Sequence, residues 1–399
     1  MLLRPQITLT MDGAPLANAA VRVEGNRITE IGVGLLPLAG EEVVELPGQV
    51  LLPGLINAHC HLDYTGFKGA IFSGIGFSEW IKRINAIKRS FSNEDYLAGI
   101  EKGFQMLMDG GCTTVCNIEA IPDLFPLMAK PPIRTWWFLE LIDIRSRAFG
   151  EEALTGMLDF FEARHDWPGG FGLSPHAPYT ASIELYRLAK HCGQELKMPF
   201  TTHIAESVEE QEMFLYGHGA MYDFLKGIGR NMEDCGQGSA LSHLLEFGLL
   251  DEKCLAVHMN YIQEYDYKLL QKNPLHVVHC PRCHAYFNHA RFPYERLREA
   301  GCDVSLGTDS LASNDVLDLR AEIAQFRKDY PTVSAEDCLR MVTTIPAKQI
   351  GMEGQLGVIR PGALADLVAF PLPEQTNPYL AVVAAKGRPT FFMVDGERK

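Results

Sequence analysis

Two histidines one residue apart, His59 and His61 in PGLINAHCHLD, are the first side chains in this sequence whose types and spacing could do chemistry. Residues i and i+2 of a strand share a face, so if the apolar run 55–62 is extended, both imidazoles leave it on the same side. Taken alone the pair means little, because a histidine on a strand serves equally well as a hydrogen-bonded core residue. The pattern recurs, however. His176 in SPHAPYT, His203 in THIAES, His258 in AVHM, His279 in LHVVHCP and Asp309 in GTDS each stand near the C-terminal end of a later apolar run. The chain has 13 histidines, and a random scatter over loops and helix surfaces does not collect so many at equivalent points of successive runs. Neutral imidazole nitrogens beside a carboxylate oxygen suit Zn2+, with Fe2+, Ni2+ or Mn2+ as further options. Such an ion lowers the pKa of a bound water from 15.7 towards about 7 and supplies hydroxide as a nucleophile at neutral pH.

The elements that must position these groups follow from the same runs. LINAHCHL, TTVCNIE, RTWWFLELID, GFGLSPHAP, FTTHIAES, CLAVHMN, LHVVHCP and DVSLGTDS alternate with segments of helical period. Ser92 and Asn93, for example, read as caps before EDYLAGIEKGFQMLMD, and Gly110-Gly111 as its stop. Strands alternating with helices imply parallel βαβ units. Eight of them over roughly 300 residues fit a closed (β/α)8 TIM barrel, an α/β fold with its active site at the C-terminal strand ends. An open doubly wound sheet would call for a glycine-rich turn after its first strand, and here two histidines stand there instead. The two ends of the chain read differently, as short strands: Ile7–Thr10, Ala20–Val23 and Ile28–Ile31 at the start, 366–370 and 389–394 at the end.

Composition narrows the class. The 399 residues carry a net charge of −14, with 36 basic against 50 acidic side chains and no long basic run, which excludes a nucleic-acid surface. Ten scattered cysteines point to reduced thiols in a cytoplasm rather than a disulfide scaffold. The N-terminus lacks the apolar core of a signal peptide, and no segment approaches the roughly 20 apolar residues of a membrane span. The expected protein is soluble and cytoplasmic, with no membrane or nucleic-acid partner; a homodimer is left open.

In order along the chain, PGLINAHCHLD, SPHAPYT, THIAES, AVHM, SLGTDSLASND and the late GVIRPGALADL resemble the amidohydrolase superfamily. They are most similar to its branch of purine and related ring deaminases and triazine chlorohydrolases. The resemblance spans nearly the whole chain. It implies a small composite β-sandwich from both termini, residues 1–54 and 357–399, around a barrel of residues 55–356. It also implies roles: His59, His61, His203 and Asp309 as ligands of one metal, Glu206 as acid/base, His258 as holder of the attacking water or leaving group, and His176 as a substrate contact. Asp309 would also take up a proton as the intermediate collapses. Binuclear relatives use a bridging lysine near strand three or four, and neither RTWWFLELID nor GFGLSPHAP contains one. The implied activity is deamination of an aminated aromatic ring, an adenine-type nucleoside such as an adenosine derivative or aminodeoxyfutalosine. Dechlorination of a triazine or opening of a cyclic amide is the alternative, and a non-catalytic binding protein fits poorly with an intact ligand set.

Three further features bear on the substrate. Residues 63–91 are long for a βα connection and read as a lid or specificity wall, with Glu79 and Trp80 placed for a ribose and a ring, or else as an amphipathic helix packing down Trp80 and Ile84. Arg145 and Arg147 follow the third run, where a substrate carboxylate could meet them. HCPRCHAYF departs from the H-x-P-x-S-N of many relatives, with Cys283 and His284 at the Ser and Asn positions. The Cys280-Cys283 pair reads as a loop with incidental thiols, having neither a four-ligand zinc set nor a redox setting.

Overall fold

Long runs of β-branched and aromatic residues build the centre of the molecule. The computed structural model describes residues 1–144, 150–164 and 166–399. Arg145 and Arg147 lie outside the described residues. Eight strands form a parallel ring: β1 (Leu55–His61), β2 (Cys112–Glu119), β3 (Arg134–Leu141), β4 (Gly169–Pro175), β5 (Phe200–Ile204), β6 (Cys254–His258), β7 (His276–His279) and β8 (Asp303–Leu306). Each pairs in parallel with the next. Every residue of β1 and of β2 is buried, as expected of strands covered by helices outside and side chains inside.

Closure occurs just past β8. Gly307 N–H donates to His279 O at 3.0 Å on one side, and Thr308 N–H to His59 O at 3.0 Å on the other. Asp309 and Ser310 then pair in parallel with Cys60 and His61. A Cβ on Gly307 would lie 2.8 Å from both His59 Cβ and His59 O, so only glycine lets the two strands approach. Asn57 reinforces the seam, donating to Thr308 Oγ1 at 2.7 Å and accepting from Thr308 N–H at 3.1 Å.

The helix signals translate directly. Ser92 caps α2 (Asn93–Asp109) in a capping box with Asp95, and the helix stops at Gly110, with Gly111 at φ +82°. Between β1 and α2 the long connection is not a loop. It holds a short 3-10 segment, Leu62–Phe67, and the helix α1 (Phe77–Lys88), which buries Phe77 and Ile84. Among the described residues no helix is long and apolar enough to cross a membrane.

Both termini meet in a second, mixed sheet. Leu2–Thr8, Leu16–Ala17, Ala19–Glu24, Arg27–Val33 and Val43–Pro53 join Leu367–Pro371, Phe391–Val394 and Glu397–Arg398. Its first strand begins earlier than Ile7. Val43–Pro53, absent from the sequence reading, lies at the centre, parallel to the first strand and antiparallel to Leu367–Pro371. Pro47-Gly48 reads as a turn, but Gly48 at φ +67° sits where the pairing with Leu2–Thr8 shifts register, and the strand continues through this irregularity. One buried ion pair ties this sheet to the barrel. Arg134, at the start of β3, donates to Asp366 at 2.9 and 3.1 Å and to Asp395 at 2.9 Å, and Asp395 N–H donates to Asp366 Oδ1 at 2.8 Å.

Candidate metal centre and cleft

β1 ends with His59 and His61 facing the same space, and closure brings Asp309 beside them. Asp309 Oδ1 is 3.6 Å from His59 Nε2 and 3.9 Å from His61 Nε2. β5 contributes His203, whose Nε2 lies 3.2 Å from His61 Nε2. β6 contributes His258. Two overlapping sets, His59/His61/His203 and His59/His258/Asp309, each place one donor atom per residue within 4.8 Å of the others. All five residues are buried. His258 and Asp309 have φ values of +76° and +55°, left-handed conformations that residues other than glycine adopt at a cost, as often found at functional sites.

Electrostatics fits a cation. Burial pushes His61 well below its ordinary value, with the neighbouring His59 adding to the effect, and burial takes His203 down to about 3. Neutral imidazoles are what a metal requires. His203 Nδ1 sits 2.9 Å from the His176 carbonyl, which can only accept, so the proton is on Nδ1 and the Nε2 lone pair is free. Burial favours a neutral Asp309, but the imidazoles beside it, His59 at 3.6 Å first and then His258 and His61, hold the carboxyl well below its usual range. His59 Nε2 and His61 Nδ1 are buried without a hydrogen-bond partner. A nitrogen-rich set with one carboxylate and an orphaned imidazole nitrogen fits a divalent ion such as zinc.

Glu206 stands just past β5, its Oε1 3.5 Å from His258 Nε2. Burial, then the charges of Asp309 and Glu210, push its carboxyl well above the ordinary value. The turn carrying it is pinned by Glu210, whose carboxylate accepts Ala205 N–H at 2.9 Å and Glu206 N–H at 2.8 Å. These groups floor a cavity of about 830 Å³, within the usual size for a small-molecule site. Its outer wall combines Trp80 and Ile84 from α1, Ile142 and Ile144 after β3, and Phe224 and Leu225 with the polar Lys82, Asn85, Lys88 and Arg89. His176 lines it too, with Nδ1 2.5 Å from Thr180 Oγ1.

The structure thus brings together His59, His61, His203, Asp309, Glu206, His258, His176 and Trp80. Glu79 is not brought to the cleft: half-exposed on the outer face of α1, it pairs with Arg83 at 3.2 Å. His279 also departs from the pattern. Its ring stacks on Phe292 with centroids 3.8 Å apart, outside the cavity. CPRC is not a loop, since Pro281–Tyr286 is a short helix with Cys280 at its N-cap. Both thiols are buried and burial pushes both far up, which makes them inert rather than redox-active.

Sequence reasoning missed four residues. Tyr64 stacks on His61 with an interplanar angle of 2°. Lys88, at the end of α1, donates to Tyr64 Oη. Glu140 at the end of β3 lies 3.9 Å from His176 Nε2. Glu210 carried a readable signal, because Ser207-x-x-Glu210 is the S-x-x-E pattern of a helix start, and Ser207 does cap the next helix. Behind the β8 turn, buried Glu322 accepts Arg282 N–H at 2.9 Å and Asn314 Nδ2 at 2.7 Å.

Comparison with known proteins gives the family and supports the fold. The amidohydrolase family model matches residues 50–399. A 5-methylthioadenosine/S-adenosylhomocysteine deaminase of Pyrococcus furiosus is 26% identical over 405 residues, covering 97% of this chain and 91% of that protein. The crystal structure of an adenosine deaminase from Xanthomonas campestris with bound zinc superposes with a TM-score of 0.85 at 23% identity, covering 100% of this chain and 92% of that one. The Helicobacter pylori aminofutalosine deaminase in complex with methylthio-coformycin gives 0.84 at 22% identity, covering 100% and 99%.

Proposed function

The chain belongs to the amidohydrolase family, and we propose that it is a metal-dependent hydrolase that removes the amino group of an adenine-type nucleoside as ammonia. The observation that carries the reading is Glu206, a buried carboxyl held well above its ordinary value, 3.5 Å from His258 and facing the His59/His61/His203/Asp309 cluster. The named activities of the relatives support the substrate class.

In this reading His59, His61, His203 and Asp309 hold one divalent ion, zinc being the best match to the donor set. The ion, when bound, acts as a Lewis acid that brings the pKa of water towards about 7. Glu206 takes a proton from the attacking water on its carboxylate and delivers it to the ring nitrogen beside the amine-bearing carbon, which makes that carbon electrophilic. Burial raises that carboxyl above the ordinary carboxylate range, which favours its taking up the proton. His258, beside Glu206 at 3.5 Å, polarises the attacking oxygen. Asp309 takes the second water proton and passes it to the amino nitrogen, so that the C–N bond breaks, ammonia leaves and a ring carbonyl remains. Trp80 and the apolar side chains of the wall hold the flat ring and exclude water, and His176 bonds the substrate. Residues 1–54 and 357–399 form the accessory module in this proposal, a division supported by the packing of Val358 and Ile359 with Leu3, Val21 and Leu51. The cytoplasm is the proposed compartment, supported by the ten unpaired cysteines.

The test is ammonia release from a panel of adenosine, 5-methylthioadenosine, S-adenosylhomocysteine, aminodeoxyfutalosine, a pterin and a triazine. The expected substrate is one of the nucleosides. Glu206→Gln should retain metal and fold but lose about 10²–10⁴ in kcat, the scale of a removed acid–base group. Loss of metal in that variant, or chloride release from the triazine as the sole activity, would overturn the assignment.

A further inference from the structure

The helix that begins at Pro281 lies directly behind Glu206, joined to it through Asn260. Asn260 Nδ2 donates to the Glu206 carbonyl at 2.9 Å, and Asn260 Oδ1 lies 3.1 Å from His284 Nδ1. The orientation of the amide is fixed, because a carbonyl only accepts and so must face the NH2 group. His284 therefore carries its proton on Nδ1 and donates it to Asn260. Asn260 N–H also donates to Ala205 O at 2.9 Å. With the Glu210 carboxylate on the N–H groups of Ala205 and Glu206, the peptide carrying Glu206 is held from both sides. It needs holding, since Ala205 sits at φ +52°, in the left-handed region. Asn260 and His284 are buried, and neither lines the cavity, so neither touches the substrate.

We propose that Asn260 and His284 are positioning residues for Glu206, a relay of two hydrogen bonds that fixes its main chain and so aims its carboxylate. The inference rests on Glu206 being the proton carrier. Without the relay the Glu206 carbonyl is buried and unpaired, the turn shifts, and the carboxylate loses its alignment. A misplacement of about 1 Å costs on the order of 10²-fold in rate. An asparagine at 284 can place its Nδ2 in much the same position as the Nδ1 of the histidine. His284→Asn should therefore restore what His284→Leu removes.

The experiment measures kcat and KM of metal-loaded enzyme on the fastest substrate of the panel above, for Asn260→Ala, His284→Leu and His284→Asn, each alone and combined with Glu206→Gln. Metal content is determined for each. We expect Asn260→Ala and His284→Leu to lower kcat about ten- to a hundredfold with KM within about twofold, and His284→Asn to recover most of it. On the Glu206→Gln background the same changes should cost less than about twofold more, because there is no proton transfer left to misalign. Losses that multiply in full on that background, a rise in KM in place of a fall in kcat, or His284→Asn no better than His284→Leu would overturn the proposal. If Asn260→Ala does not fold, the His284 pair decides. Failure of all three to fold marks a purely structural role and also overturns it. Near wild-type Glu206→Gln would instead refute the role of Glu206 itself, a result distinct from additive losses.

Discussion

Replacing Arg134 with methionine should destabilise the protein without touching its chemistry. The guanidinium is buried, as is Asp366, and three hydrogen bonds of 2.9–3.1 Å join it to Asp366 and Asp395. Truncating one member of a buried pair leaves a charge in a poor solvent and typically costs about 3–5 kcal/mol. Unfolding entropy of about 2.1 cal/mol/K per residue gives this 399-residue chain about 0.84 kcal/mol/K. The expected fall in Tm is therefore about 4–6 °C. Adding Asp366→Asn should recover most of the loss, because it removes the stranded charge and keeps the oxygen that accepts Asp395 N–H at 2.8 Å. Differential scanning fluorimetry and urea unfolding read both effects. Activity per folded molecule should stay unchanged, since Arg134 begins β3 at the end of the barrel opposite the cleft. A Tm change below about 1 °C, or no recovery in the double variant, refutes the view that this pair clamps the terminal sheet to the barrel.

Three further outcomes are expected. Elemental analysis should find about one divalent ion per chain, lost in His61→Ala and in Asp309→Asn; two tightly held ions would refute the single-centre assignment. Gly307→Ala should abolish metal binding or folding, because its Cβ would strike the His59 backbone at 2.8 Å, and a fully loaded, stable variant would show that the seam can yield. Metal-free protein should lose stability as pH rises from about 7 to 9, above the range in which its buried neutral histidines give the opposite trend. Burial raises Glu322 to about 8 and Glu210 to about 7, so the native state binds more protons than the unfolded chain and its advantage fades as pH climbs through those values. Glu322→Gln should flatten the decline in urea midpoints across that range, and an unchanged slope would count against the raised value.

Much of the site was legible in the sequence for a definite physical reason. A strand repeats every two residues, so His59 and His61 had to share a face once β1 was recognised, and strand ends in a parallel barrel share one rim. That logic reached His203, His258 and Asp309 without knowledge of the helices between them. It failed at His279, because β7 is only four residues long and Phe292 takes up the ring on the outside. Glu140, Tyr64 and Lys88 were invisible because their roles depend on contacts between elements, namely the stack of Tyr64 on His61 and the reach of Lys88 from α1. Glu79 failed for the opposite reason. Proximity to Trp80 in sequence suggested a shared task, but neighbours on a helix point in different directions. In the fold, Val43–Pro53 was hidden by Pro47-Gly48, whose turn-like composition serves a register shift inside a strand.

The seam at Thr308 and Asn57 also sets a schedule for synthesis. The donor groups at residues 59 and 61 emerge from the ribosome some 250 residues before Asp309, the last of the set, and the partners are joined only when β8 docks on β1. A nascent chain still short of that point has scattered histidines and no assembled centre. Contacts this distant in sequence form late and slowly, so in the proposed centre an ion would gain its carboxylate ligand only once the ring is shut. Binding of the proposed ion would then stabilise the closed barrel most. A supply of that ion would therefore favour completed chains over truncated ones, which lack Asp309.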